Sequence, residues 1–160
     1  INPDCVAVAE MKGAESMQAI NAANTGHAVI TTIHANSCAD TYYRMVTLCK
    51  QSYSMDDATL MGLATKAFPI VAFAKKLEDN SRRLMEISEY EYLPDAGSSG
   101  GSKQRMRTLF RFNITDNRMV DGKPKIIGHY EKVEPPSESL LKRLRENGMS
   151  YTAQQRLFSA

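Results

Sequence analysis

The sequence predicts an α/β domain with a parallel sheet and flanking helices. Two short apolar runs without polar alternation, residues 5–9 (CVAVA) and 28–33 (AVITTI), are typical of strands in such a sheet. Between them, residues 14–23 have helical character, and the helix is expected to stop at Asn24 and Gly26. A strand, a crossover helix and a second strand form a βαβ unit, so the two strands should lie parallel with both faces covered.

Two helices and a hairpin are predicted next along the chain. Ser37, with Asp40 three residues later, forms a capping box that opens a helix to about Lys50. Asp56 or Asp57 opens another helix, which is expected to run to Phe68. Residues 70–73 and 84–88 are then predicted to be strands joined by the polar turn at 78–81.

The composition changes in the last third of the chain. Residues 93–102 (LPDAGSSGGS) are rich in Gly and Ser and predict a flexible loop. Residues 108–114 and 125–133 predict antiparallel strands around a turn that contains Asp121 and Gly122, and Ser137 opens a helix that Gly148 ends. The predicted division is therefore an α/β part at 1–92, the loop at 93–102, and a β-hairpin with C-terminal helices at 103–160.

Composition excludes several classes of protein. The chain has 160 residues, the size of one typical domain, and its 42% hydrophobic and 24% charged residues are typical of a globular protein rather than a disordered one. A net charge of +2 is too small to indicate a nucleic-acid binder, and three cysteines without a Cys-x-x-Cys pair favour a reducing, cytoplasmic setting. Because the chain begins with Ile1 and enters an apolar strand almost at once, we expect it to be part of something longer.

Two chemically active side chains follow the two predicted parallel strands. Glu10 comes directly after the first strand and His34 directly after the second. Parallel strands end at the same sheet edge, so we expect the two side chains to lie within roughly 5 to 10 Å of each other. A carboxylate there can orient a water, and an imidazole can bind a terminal phosphate. Taken singly, a glutamate at the position of Glu10 is more often a solvated loop residue, and a histidine at the position of His34 is more often a surface or capping histidine.

A metal site is not expected. The two histidines that could contribute, His27 and His34, lie at opposite ends of one predicted strand, and no third ligand has a plausible spacing.

The whole stretch from residue 2 to residue 44 carries a more specific signal. It resembles the Walker B to histidine-box segment of the secretion ATPases of type II and type IV systems, above all the branch that serves tight-adherence pili and conjugative or secretion channels. The matching elements occur in order: residues 2–4 (NPD), Glu10, residues 25–27 (TGH), residues 31–37 (TTIHANS) and Arg44. Weaker similarity extends to the end of the chain.

The resemblance implies a RecA-like P-loop NTPase domain, of which this chain holds the C-terminal portion, and a role for each matching residue. Glu10 would be the Walker B glutamate that activates water, and His34 the phosphate-sensing histidine. His27 and Arg44 would support the site near the nucleotide or the subunit boundary, and Thr32 would bind nucleotide.

The same resemblance implies cofactors and partners. The full-length protein would use ATP and Mg²⁺ and assemble as a homohexamer. It would act on inner-membrane platform or channel proteins at the cytoplasmic face of the membrane, without direct contact to nucleic acid. Whether it serves secretion, pilus assembly or conjugative transfer stays open.

The sequence departs from the family pattern in two ways. Ala9 stands where the family usually has Gly before the glutamate, and Lys12 stands where it usually has Arg, which loses the planar fork of guanidinium. The phosphate-binding loop G-x-x-x-x-G-K-[ST] is also missing, since Gly122-Lys123 precedes Pro124 and lacks the first Gly. We therefore expect the isolated chain not to hydrolyse ATP, and the alternative is a catalytically silent scaffold or regulatory subunit.

A basic stripe is predicted after the Gly/Ser loop. Its members, Lys103, Arg105, Arg107 and Arg111, alternate with apolar residues and would lie on one face of a strand. The ordinary interpretation is a solvated outer face. The alternative is peripheral contact with acidic lipid headgroups or an acidic partner.

Overall fold

The computed structural model describes residues 3–93 and 103–158, which form two compact units. Of the described residues, the first unit comprises 3–71, 92–93 and 103–105, and the second comprises 72–91 and 106–158. The predicted flexible loop falls almost wholly in residues 94–102, outside the described residues. The three-part division at 92 and 102 stays a prediction.

The first unit contains the predicted βαβ motif and two further helices. Strand β1 pairs in parallel with β2, with Cys5 opposite Ala28 and Val8 opposite Thr31, so the predicted parallel pairing is confirmed. The elements in chain order are β1 (Cys5–Val8), α1 (Glu15–Asn24), β2 (Ala28–Thr31), α2 (Cys38–Cys49) and α3 (Asp57–Ala67).

The expectation that both faces of this sheet are covered is wrong for the described residues. Ile30 is 65% exposed, and alternate residues on the same face, Cys5, Ala7 and Ala28, are exposed as well. The residues between them are partly buried. An uninterrupted apolar run predicts two buried faces, but the described part of this sheet has two strands and its neighbours cover one side.

The helices of the first unit enclose its core and begin at the predicted caps. Ile20, Leu48 and Leu60 are fully buried, one from each helix. The Ser37 side chain accepts a hydrogen bond from the Asp40 N–H at 3.0 Å at the start of α2. At the start of α3 the Asp56 carboxylate accepts the Thr59 N–H at 2.9 Å. These side chains satisfy amide groups that the first helical turn leaves without partners.

The second unit is built mainly on a four-stranded sheet, in which consecutive strands are neighbours. Both predicted hairpins are confirmed, with strands longer than predicted; β5 and β6 pair antiparallel around Asp121 and Gly122, both at positive φ. The strands are β3 (Ile70–Lys76), β4 (Arg82–Leu93), β5 (Lys103–Val120) and β6 (Lys123–Lys132). The helices that follow are α4 (Glu138–Glu146) and α5 (Tyr151–Phe158).

The start of α4 is fixed by a buried carboxylate. Ser137 caps the helix, its hydroxyl oxygen accepting the Leu140 N–H at 3.1 Å. The buried Glu89 carboxylate of β4 accepts the Ser137 N–H at 2.8 Å and also the Ser137 hydroxyl. Glu89 and Ser137 lie 48 residues apart in sequence, so this contact joins the sheet to the helix.

The expectation that Arg107 belongs to a solvated basic face is wrong. Its guanidinium Nη2 lies 2.9 Å from Glu91 Oε2, and its Nη1 lies 3.5 Å from Glu134 Oε2. The side chain is only 16% exposed and that of Glu91 only 14%. Leu109, two residues further along β5 on the same face, is buried at 3%. The predicted alternation did not show that Glu91 and Glu134 pair with Arg107 on the face predicted to be solvated.

None of the helices in residues 3–93 and 103–158 combines the length and the apolar character that a bilayer crossing requires.

Candidate functional site

The candidate site lies where β1 and β2 end together. Beyond the last paired residues, the Met11 N–H donates to the Thr32 carbonyl oxygen at 2.8 Å. The Thr32 hydroxyl donates to the Ala9 carbonyl oxygen at 2.6 Å. These two bonds keep the segments after the strands side by side, with Glu10 between the two bonded residues of the first. Thr32, predicted to bind nucleotide, is seen here to hold the backbone on either side of Glu10.

The carboxylate of Glu10 contacts a different cation-forming side chain with each oxygen. Its Oε1 lies 3.1 Å from His34 Nε2, and its Oε2 lies 2.8 Å from Lys12 Nζ. Glu10 is 26% exposed, whereas Lys12 and His34 are 72% and 93% exposed. The predicted proximity of Glu10 and His34 is confirmed, at a shorter distance than the strand spacing alone suggested. The contact with Lys12 was not predicted.

The surroundings of Glu10 favour its ionised form. The hydrogen bond from Lys12 is the largest influence and lowers the pKa of Glu10, as do the charges of Lys12 and His34, while partial burial opposes them. The same pair raises the pKa of Lys12. Glu10 therefore remains a carboxylate to a lower pH than an ordinary glutamate.

One oxygen of this carboxylate lacks a hydrogen bond. Glu10 Oε1 is shielded from solvent and has no hydrogen-bond donor among the described residues, because the His34 ring lies within ion-pairing distance but not in hydrogen-bonding geometry. A buried acceptor without a donor is costly unless a ligand or water completes it. Because the His34 ring beside this oxygen is exposed, a movement of that ring toward a phosphate group would open Oε1 to a water.

Glu15, the first residue of α1, holds the loop that carries Lys12. Its Oε1 accepts the N–H groups of Lys12 at 2.5 Å and of Gly13 at 2.8 Å. The hydrogen bond from the Lys12 backbone is the largest cause that lowers the pKa of Glu15. We did not predict this role. The signal for it was an acidic residue at the first helical position after a Gly-containing loop, where amide groups lack partners.

Two predicted site residues, His27 and Arg44, form no ion pair or hydrogen bond with Glu10 or His34 among the described residues. His27 precedes β2 at its opposite end, and its N–H donates to the Ala22 carbonyl oxygen at 3.2 Å. Arg44 is exposed on α2. Among the described residues neither contacts Glu10 or His34, so their supporting roles stay predictions. The same residues contain no group of three His, Cys, Asp or Glu side chains arranged to hold a metal.

Most of the chain matches a known protein family. The family model described as type II/IV secretion system protein matches residues 1–149. The chain belongs to this family.

Two curated relatives show the kind of protein in which this family occurs. The chain is 33% identical over 89 residues to the type IV pilus assembly ATPase PilB of Pseudomonas aeruginosa, covering 54% of the chain and 14% of that protein. It is 28% identical over 93 residues to PilB of Acinetobacter baylyi, covering 58% of the chain and 15% of that protein. The chain thus spans about one seventh of these relatives.

A solved structure supports the predicted fold class. The VirB11 ATPase of the Brucella suis type IV secretion system, crystallised in complex with sulphate, matches with a TM-score of 0.52 and 26% identity. The match covers 54% of this chain and 28% of VirB11. The predicted fold class, an α/β chain that forms part of a RecA-like domain, is confirmed.

Proposed function

We propose that this chain is the C-terminal part of a motor ATPase that couples ATP hydrolysis to pilus assembly, protein secretion or conjugative transfer. The observation that carries the proposal is the pairing of Glu10 Oε1 with His34 Nε2, 3.1 Å apart at the shared end of two parallel strands. The named relatives, a pilus assembly ATPase and a type IV secretion ATPase, support the same assignment.

In this proposal the two side chains divide the chemistry. The Glu10 carboxylate accepts a hydrogen bond from the attacking water at Oε1, the oxygen without a donor, and orients it. The exposed His34 imidazole donates a hydrogen bond to the terminal phosphate and so responds to its presence. Bound Mg²⁺ and the phosphate-binding loop would neutralise the phosphate charge, and we place that loop elsewhere in the full-length protein.

The finer features are part of the same proposal. The full-length protein would act as a homohexamer at the cytoplasmic face of the inner membrane, where it drives a platform or channel protein. His27 and Arg44 would act at the nucleotide or the subunit boundary. Support comes from the sequence match around residues 25–37 and from the systems named for the relatives.

The test is Glu10→Gln in the full-length protein. Gln keeps the shape of the side chain but is not a base, so we expect ATP turnover to fall by about 100- to 10,000-fold. Binding of a fluorescent ATP analogue should stay within about threefold of wild type, since amide and carboxylate differ little in size. Glu146→Gln, an exposed glutamate on α4, is the matched control and should leave turnover unchanged.

The scaffold alternative makes a different prediction for the same assay. Ala9 and Lys12, which depart from the family pattern, are the support for this alternative. It predicts no measurable turnover in the wild-type full-length protein. Turnover that Glu10→Gln leaves unchanged would contradict the motor assignment of Glu10.

A further inference from the structure

Lys12 is held at both its backbone and its side chain. The Lys12 N–H donates to Glu15 Oε1 at 2.5 Å, and the Lys12 ammonium lies 2.8 Å from Glu10 Oε2. A loop lysine with a free side chain would sample many rotamers. Here Glu15 of α1 fixes the backbone from which the side chain extends, and Glu10 receives its charged end.

This contact restricts Glu10 as well. A glutamate has three rotatable side-chain bonds, and a carboxylate free to rotate would present either oxygen to a ligand. With Oε2 bound to Lys12, Oε1 is the oxygen left beside His34, shielded from solvent and without a donor. The two oxygens are therefore not equivalent.

We propose that Lys12 is a positioning residue that clamps Oε2 of Glu10 and so keeps Oε1 turned toward His34, where Oε1 receives the water once the exposed His34 ring turns to a phosphate, while Glu15 anchors the backbone of Lys12. The inference rests on the proposed function, because it requires that Glu10 acts on a water. It assigns roles to Lys12 and Glu15, in addition to the water-orienting Glu10 and the phosphate-sensing His34.

An ordinary surface ion pair offers a comparison within the same unit. Lys50 of α2 contacts Asp57 at the start of α3, with both side chains about half exposed or more, and such pairs contribute little. Lys12 differs because its partner is partly buried and the second oxygen of that partner faces His34. Its backbone is also held by a second carboxylate.

The pH dependence of turnover tests whether Lys12 holds the Glu10 carboxylate. Among the described residues, the charged and titratable groups that face Glu10 are Lys12 of its own loop and His34 after β2, and Glu15 of α1 acts on Lys12. Lys12 keeps the pKa of Glu10 low, so its removal raises that pKa. Glu10 then loses its charge at a higher pH, and the acid limb of the kcat profile moves upward.

The experiment compares Lys12→Met and Lys12→Arg in the full-length protein. Met keeps the length of the side chain without the charge, and we expect kcat to fall by about 10- to 100-fold. The acid limb should rise by about 0.5 to 1 pH unit. Arg restores a cation and should return both values to within about threefold and about 0.3 pH unit of wild type. Lys66→Met, an exposed lysine of α3, is the matched control and should change neither.

Binding of the fluorescent ATP analogue separates positioning from damage to the fold. We expect Lys12→Met to bind it within about twofold of wild type, because Lys12 acts through Glu10 and not on the nucleotide. An acid limb that Lys12→Met leaves in place, or equal losses of kcat in Lys12→Met and Lys12→Arg, would overturn the inference. If Glu10→Gln abolishes turnover in the same series, either result overturns only the role of Lys12; if Glu10→Gln is harmless, the proposed function itself fails.

Discussion

A glutamate forms ion pairs with cationic side chains in each of the two units of this chain, but the two sets of ion pairs differ in how exposed they are. In the first unit Glu10 pairs with the exposed side chains of Lys12 and His34 and keeps one oxygen without a donor. In the second unit Glu91 pairs with Arg107, both side chains are nearly buried, and Glu134 approaches the same guanidinium. The hydrogen bond that Arg107 donates to Glu91 is the largest cause that raises the pKa of Arg107.

This difference in exposure distinguishes a candidate ligand site at Glu10 from a structural contact at Arg107. Buried charges are costly unless they are paired, and Glu91 and Glu134 pair with the guanidinium of Arg107, although its buried Nε has no hydrogen-bond partner among the described residues. The cluster at Glu10 differs in exposure: its cationic side chains, Lys12 and His34, are 72% and 93% exposed, so a ligand can reach them and move the His34 ring away from the shielded Oε1. Changes in the second cluster should therefore alter stability, and changes in the first should alter turnover.

Arg107→Met should produce the largest loss of stability, and it tests this separation directly. Removing the guanidinium leaves Glu91 nearly buried and without its cation, which should lower the free energy of unfolding of the second unit by about 3 to 5 kcal/mol. Hydrogen exchange of the β4 to β6 amides in rising urea, with the full-length protein, measures it. Lys12→Met should leave the same measurement unchanged.

Arg111→Met is the matched control for Arg107→Met. Arg111 is also on β5 and lies 3.9 Å from Glu86, but its side chain is about half exposed. Its loss should cost less than about 1 kcal/mol. Equal effects of the two substitutions would show that burial does not distinguish these pairs.

The contacts that sequence could predict are local or follow from strand direction. Glu10 and His34 directly follow apolar runs, and parallel pairing brought them together as expected. The contact between Lys12 and Glu10 depends on the rotamer of a loop lysine, which no periodicity encodes. Glu89 contacts Ser137, which lies 48 residues away in sequence. Ile30 is exposed because the described part of its sheet has only two strands. These features depend on tertiary neighbours that a pattern along one strand does not contain.

Gly128→Ala should have the next largest effect and compares glycines of the two units. A Cβ at Gly128 of β6 would lie 2.3 Å from the Asn113 carbonyl oxygen and 2.6 Å from Phe112 Cζ. The carbonyl belongs to the paired strand and cannot move away, so we expect the second unit to lose about 2 to 3 kcal/mol. The hydrogen-exchange measurement above would record the loss.

Gly62→Ala supplies the opposite case in the first unit. Gly62 lies inside α3, and a Cβ there meets nothing within 4 Å. Alanine in a helix interior is favoured over glycine by about 0.5 to 1 kcal/mol, so α3 should become more stable. Destabilisation by both substitutions would contradict the steric explanation for Gly128.

Ser137→Ala should have a smaller effect than Arg107→Met or Gly128→Ala, and it isolates the contribution of the buried Glu89. The hydroxyl caps α4 and donates to Glu89 Oε1, so its removal loses a cap and leaves a buried carboxylate oxygen without that donor. We expect a loss of about 1 to 2 kcal/mol in the exchange of α4 amides. The corresponding change in the first unit, Ser37→Ala, removes the cap of α2, where no buried carboxylate among the described residues contacts the serine hydroxyl. That change should cost about 0.5 to 1 kcal/mol. The excess at Ser137 measures what the buried carboxylate adds, and equal losses would show that Glu89 gains nothing from the hydroxyl.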